Sequence, residues 1–150
     1  MADTHQSKNT SEAYREVTVH GVHAIGSAGE SLLILREKDG ERLIPLWIGL
    51  LEAQAILIDL RHIPYPQPLT HDLFLMALER LGAKITRVFI TGLALNTFFA
   101  KIVMEHNGAT LELDARPSDG IALALRARIP ILAAQELFLL DPGTAKEKDV

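Results

Sequence analysis

Cysteine is absent from the 150 residues, which excludes disulfides, thiolate zinc sites and cysteine nucleophiles together. Aromatic residues make up 5% of the chain, too few for an extended base-stacking platform. Trp47 is therefore expected in the core or an interface, and of Phe98 and Phe99 one is expected inside and the other free to reach a groove. A basic excess is also missing, because 15 Lys and Arg face 19 Asp and Glu, a formal net charge of −4. That balance excludes a long electrostatic track for phosphates, so any contact with nucleic acid must be local or cation-assisted. The basic residues are dispersed: Arg80, Lys84 and Arg87 surround one helix-to-strand junction, and Arg126 and Arg128 lie near the end of another helix. Both groups suit helix C-terminal electrostatics and a solvated surface. Long hydrophobic runs are lacking too. Glu52 and Asp59 interrupt one apolar stretch, Arg116 and Asp119 the other, and neither reaches the ~20 apolar residues a bilayer requires. Residues 1–14 carry no basic-then-apolar secretory signature. They are expected to form a disordered tail on a cytoplasmic protein.

What remains is a chain of one domain's length, with the folded part expected over residues 15–140 and a flexible tail over 141–150. Two halves share a pattern. A shift of 67 positions carries Glu52 onto Asp119 and residues 44–46 onto 111–113. Upstream, strand-like segments at 16–24 and 84–93 are followed by others at 31–37 and 97–105, with turns at Asp39 and Gly40 and at Asn107 and Gly108, dipeptides that supply positive φ. Each half therefore reads as three strands and a helix. The helical segments 50–60 and 121–127 are apolar on nearly every side, which predicts burial. The expected fold is α+β, an internal duplication of a three-strand-plus-helix unit with sheets packed around central helices.

Between the halves, Pro64, Pro66 and Pro68 stiffen a loop, and Thr70 is placed to cap a helix whose apolar stripe runs through Leu73, Leu75 and Leu78 and stops at Gly82. A short strand is expected over 129–133, and residues 137–140 add a further apolar contact. The six histidines form no zinc motif, and no glycine-rich phosphate loop or G-x-S-x-G elbow is present.

Three segments carry a family resemblance: residues 42–60 (RLIPLWIGLLEAQAILIDL), 111–126 (LELDARPSDGIALALR) and the bridge 64–73 (PYPQPLTHDL), with PLTHDL and DARPSD as the most specific words. The chain resembles the bifunctional nuclease domain family from about residue 17 to 140. The resemblance implies a small α+β domain that cleaves DNA and RNA. Two departures stand out. Gln67 replaces an arginine usual between the prolines, which removes one phosphate contact, and Gly120 replaces the usual alanine after PSD, at ~1 kcal/mol of helix propensity unless the backbone there meets something closely.

Phosphodiester hydrolysis needs an activated water, stabilisation of transition-state charge and a proton for the leaving oxygen. The candidates are Glu52, His71, Asp72, Asp114 and Asp119 for catalysis, with His71 as proton carrier. Arg116 and Ser118 are candidates for phosphate binding. Glu52, Asp114 and Asp119 are candidate ligands of a divalent cation such as Mg²⁺ or Mn²⁺. Each has a structural alternative. Glu52, Asp72 and Asp119 sit where acids stabilise helix starts, Arg116 can pair across its turn, and Ser118 can cap the helix after Pro117. Two functions follow: a metal-assisted nuclease on DNA and RNA, or a non-enzymatic regulatory module that binds an anion or a protein. The apolar surplus of so small a chain points to a homodimer, and nothing points to a membrane.

Overall fold

The computed structural model describes residues 13–25 and 27–138. The tail expected over residues 141–150 and nearly all of that over 1–14 lie outside the described residues, as do His5, Gly26, Leu139 and Leu140. Among the described residues, alternating or β-branched runs form seven strands: β1 Tyr14–Ile25, β2 Glu30–Glu37, β3 Leu43–Gly49, β4 Ala83–Ala94, β5 Thr97–His106, β6 Ala109–Ala115 and β7 Ile131–Ala134. Three helices among the described residues, α1 Leu50–Leu60, α2 Thr70–Arg80 and α3 Pro117–Ala127, fall between them, and a 3-10 turn spans Gln135–Leu137. Among the described residues no helix is long and apolar enough to cross a membrane.

The fold is α+β, and each half runs strand, strand, strand, helix. The separate sheets expected from the pattern are one sheet, in the order β3-β2-β1-β7-β4-β5-β6. The short β7 makes the join: it pairs antiparallel with β1 (Tyr14 opposite Ala134) and parallel with β4 (Val88 opposite Ile131). Two antiparallel meanders thereby share their backbone hydrogen bonds across the centre. Side chains of one face close the core, with Leu33 opposite Leu46 and Leu35 opposite Ile44, all four buried. The helices pack together, α1 and α2 each against α3, while α3 lies on β4 and β5 and α1 on β1, β2 and β3.

The two apolar helices are not equally buried. In α3, Ser118 and Gly120 through Ala124 are buried, whereas in α1 only Ala53 and Ile56 are, and Leu50, Leu51 and Leu60 are exposed. An apolar circumference predicted burial on all sides, but α1 lies at the rim of the helix layer and has a partner on one side only. Gly120 meets the close approach that its propensity penalty called for, since a Cβ there would lie 2.8 Å from Val88 Cγ1 on β4. Turn chemistry also differs between hairpins. Asn107 and Gly108 both take positive φ as expected. Asp39 and Gly40 do not, because the β2–β3 connection is five residues long and closes through Glu37 N–H donating to Arg42 O.

Candidate functional site

Three helix starts carry the candidate residues. Gly49, Leu69 and Arg116 are the N-caps of α1, α2 and α3, and the third residue of each helix is an acid: Glu52, Asp72 and Asp119. A carboxylate at that place lies beside unpaired N–H groups and the positive end of the helix dipole. The caps expected of Thr70 and Ser118 are not made, since both residues lie one or two positions inside their helices and no cap side chain bonds the backbone. Asp72 closes the start of α2 instead, with Oδ2 accepting the Leu69 N–H at 2.9 Å.

Arg116 links two of the starts. Its Nε and Nη2 donate to Asp119 Oδ2 and Oδ1 at 2.8 and 3.2 Å, and its Nη1 donates to Glu52 Oε1 at 2.8 Å. The third start joins through His71, whose Nε2 lies 3.0 Å from Asp119 Oδ1. A carboxylate oxygen accepts, so Nε2 carries the proton, and Nδ1 is the basic nitrogen of the neutral ring. Burial pushes the Asp119 carboxyl up, but the hydrogen bonds from Arg116 and then His71, with their charges, outweigh it and hold its pKa below the ordinary value. The Arg116 pKa is raised, first by its bond to Asp119 and then by its bond to Glu52. A guanidinium has five N–H groups, and Arg116 spends three of them on the two acids, leaving two for a ligand.

Gly49 has a role here that its type did not announce. A Cβ at this N-cap would collide with the Glu52 carboxylate, so glycine lets Glu52 fold back over its own helix start and reach Arg116. Two clefts open on the cluster, and both are lined by Glu52 and Arg116. One, about 420 Å³, includes His71 and Asp119, and the other, about 320 Å³, includes Gly49 and Ser118. Ser118 is buried at the second position of α3, at the wall of that second cleft.

Two candidates fall elsewhere. Asp72 pairs with Arg126, Oδ1 to Nε at 3.0 Å, and serves the packing of α2. Asp114 lies on the exposed edge strand β6, opposite Lys101 in register, and lines neither cleft. The expected ligand set of Glu52, Asp114 and Asp119 is therefore not assembled. Among the described residues no three His, Asp or Glu converge as metal ligands, and the cation between Glu52 and Asp119 is the Arg116 guanidinium. In this arrangement the donor set does not fit Mg²⁺ or Mn²⁺.

Arg126 was expected at the surface, yet its side chain is 5% exposed. Besides Asp72 on α2, it donates to Ala55 O on α1 and Ala122 O on α3 at 2.9 and 3.0 Å, so one side chain ties three helices together. His71 precedes Asp72, and this tie therefore sets where the imidazole meets Asp119. The signal in the sequence was a lone charge inside the apolar run IALALRA. An arginine on a buried helix needs partners.

Fold and site thus define an α+β domain in which the starts of three helices present an Asp–His pair and an arginine to open clefts. Residues 33–141 match the profile of the bifunctional nuclease domain, and the chain belongs to that family. It is 36% identical over 137 residues to an uncharacterised protein of Mycobacterium tuberculosis, covering 89% of this chain and 82% of that one. Similarity reaches bifunctional nuclease 1 of rice (Oryza sativa subsp. japonica), 28% identical over 109 residues, 70% of this chain and 33% of that one. Bifunctional nuclease 1 of Arabidopsis thaliana is 27% identical over 126 residues, 81% of this chain and 38% of the relative. The chain spans about a third of the plant proteins' length.

Proposed function

We propose that this protein is a nuclease hydrolysing phosphodiester bonds of DNA and RNA at the junction of the three helix starts. The observation that carries the reading is the bond between His71 Nε2 and Asp119 Oδ1 at 3.0 Å, beside an arginine with N–H groups to spare. Asp119 orients the ring, fixes its tautomer and stabilises the imidazolium. Arg116 binds a non-bridging phosphate oxygen and takes up charge as it develops in the transition state. Water attacks phosphorus and gives a proton to His71 Nδ1. The P–O bond to the leaving sugar oxygen breaks, that oxygen takes a proton from solvent, and the imidazolium returns its own to solvent. Glu52 holds the guanidinium in place. No step is routed through a divalent cation, because the carboxylates that would bind one are engaged by Arg116.

Purified wild type is compared with His71→Asn and Asp119→Asn on single-stranded DNA and on RNA, with Mg²⁺, Mn²⁺ or chelator present. The expected outcome is cleavage by the wild type and a loss on the order of 10²- to 10⁴-fold in either variant, the usual range for positioned acid–base catalysis. Undiminished cleavage by both folded variants would overturn the assignment. A second reading, a regulatory module binding an anion or a protein, draws on the pairing of every helix-start acid with an arginine. Absence of cleavage by the wild type in every condition would favour it. The same proposal takes the protein as a homodimer, supported by Leu73, Phe74 and Met76 exposed on α2 and by Leu111 and Leu113 exposed on β6. Sedimentation showing a monomer at micromolar concentration would contradict that assembly.

A further inference from the structure

The clefts around the site adjoin through shared lining residues. Glu52 and Arg116 are shared by the two described above, and Arg126 is shared between the His71 cleft and a third of about 430 Å³, lined also by His62, Tyr65 and Asp72. The cluster therefore sits in the middle of a run of three clefts. Each outer cleft carries an exposed aromatic residue. Trp47, expected in the core or an interface, is 60% exposed and lines the cleft of Gly49 and Ser118, and Tyr65 is 52% exposed in the cleft of His62.

We infer that the site takes single-stranded nucleic acid, with one base stacked on Trp47, another on Tyr65 and the intervening phosphate on Arg116. The inference rests on the nuclease reading and names its substrate class. Three properties of the chain support it. Aromatic faces hold unpaired bases without regard to sequence, and bases inside a duplex cannot offer theirs. The phosphate-facing group is one arginine in a chain of net charge −4, whereas a duplex held by its backbone demands many cations. His71 and Asp119 are partly buried between the flanking clefts, within reach of a thin flexible strand and shielded from the convex face of a double helix. Two isolated aromatics suit a short contact, which accords with the scarcity of aromatic residues in the sequence.

Trp47 is the only tryptophan of the chain, so its emission reports this subsite alone. Phosphorothioate-linked oligothymidylate, which resists cleavage, is titrated into the intact protein. The same strand carrying fluorescein is followed by anisotropy, alone and annealed to its complement. Single strands are expected to quench Trp47 and to bind about tenfold or more tighter than the duplex, with a shallow salt dependence. Trp47→Ala and Tyr65→Ala are each expected to weaken single-strand binding on the order of ten- to a hundredfold. Tyr65→Phe, which keeps the ring, is expected to restore it, and exposed residues of this kind can be truncated without unfolding the chain. Equal or tighter binding of the duplex, unchanged Trp47 emission at saturation, or wild-type affinity in both alanine variants would each overturn the inference. Failure of the parent reading looks different. Strands would bind with quenching and never be cleaved, whereas cleavage by a protein whose aromatic variants bind normally would sink only the stacking proposal.

Discussion

Leu51 and Ser118 occupy the same place, the second residue of an apolar helix that follows a strand, and their environments are inverted. Leu51 is 75% exposed and Ser118 is 7% exposed. The shift of 67 positions that carries one onto the other also carries the N-cap Gly49 onto Arg116 and Glu52 onto Asp119. Local chemistry at the two starts is thus alike, with an acid at the third position of each helix. Tertiary surroundings are not. The second start is packed among α1, α2, β4 and β5, while the first stands at the rim. On the proposed reading the buried start supplies Asp119, which holds His71 and Arg116, and the rim supplies an acid that restrains Arg116. Similar sequence pattern therefore does not mean similar role.

Neutralising the two acids tests this division most severely. Asp119 holds both His71 and Arg116, so Asp119→Asn is expected to lower kcat on the order of 10²- to 10⁴-fold. Among the described residues Glu52 hydrogen-bonds through its side chain to Arg116 alone, in a partly exposed pair worth at most ~1 kcal/mol, so Glu52→Gln is expected to lower kcat/KM by about fivefold or less. Single-turnover cleavage by the two purified variants decides it. Equal losses would show the starts to be functionally equivalent and break the comparison.

Arginines and glycines probe the same contrast through stability. Arg126→Met keeps the aliphatic stem but removes three hydrogen bonds from a buried guanidinium, and is expected to lower the unfolding free energy by about 2–4 kcal/mol in urea. Arg116→Met, at a mostly exposed guanidinium, is expected to change it by about 1 kcal/mol. Gly120→Ala drives a methyl into Val88, which is fully buried and has no room to move, at about 1–3 kcal/mol. Gly49→Ala meets only the end of the Glu52 side chain, so about 0.5 kcal/mol is expected there. Its consequence is a displaced Glu52 and a looser Arg116. Gly49→Ala proving the more destabilising of the two would invert the assignment of buried and rim starts.

Much of this architecture was legible beforehand, and the failures share a cause. Strand alternation and helical periodicity are local properties, so the three-strand-plus-helix order and the helix over Thr70–Arg80 followed from them, with boundaries near those observed. Glu52, His71, Arg116 and Asp119 could be named because they fall at helix starts within the segments that carry the family resemblance, although the same places also suit structural roles. That they would serve one site was expected, but the particular bond between His71 and Asp119 was not, since the two come from different helices 48 residues apart. The same limit hid the part of β7, whose pairing with both β1 and β4 is nonlocal. Asp114 was misplaced for a related reason: a strand's pattern does not say whether it will be an edge, and β6 is one of the two edges. Arg126 was misread because a basic residue near a helix C-terminus is usually solvated. Its bonds to α1, α2 and α3 place it between the three helices instead.

Hairpin tips sharpen the comparison between halves at a smaller scale. The second half turns tightly twice, at Leu95 and Asn96 and at Asn107 and Gly108, all four residues with positive φ. Asparagine and glycine tolerate that conformation, whereas a γ-branched residue is strained in it. Leu95 is also 99% exposed, so it gains no burial in return. Leu95→Asn is expected to raise stability by about 0.5–1 kcal/mol and to leave cleavage unchanged. A thermal melt checks it, and a lowered midpoint would mean that the leucine makes contacts in solution, as an interface residue would.

The smallest effect expected is the acid dependence that Asp119 alone gives to the fold. Its folded pKa lies below the ordinary aspartate value because the bonds from Arg116 and His71 outweigh its burial. A lowered folded pKa means that the unfolded chain binds the proton more tightly than the native one. The stabilisation is then fully present above about pH 3.9, the unfolded value, and is lost as the pH falls through the lowered folded value. Partial exposure of both partners screens the interaction, so less than about 1 kcal/mol is at stake. Urea unfolding of the wild type and Asp119→Asn at about pH 5 and about pH 2.5 isolates the contribution, because the variant cannot titrate there. The stability advantage of the wild type over the variant is expected to shrink on acidification. An advantage that widened as the pH fell would mean that the carboxyl is held above its ordinary value, with burial dominant over Arg116, and the charge balance assigned to the second helix start would be reversed.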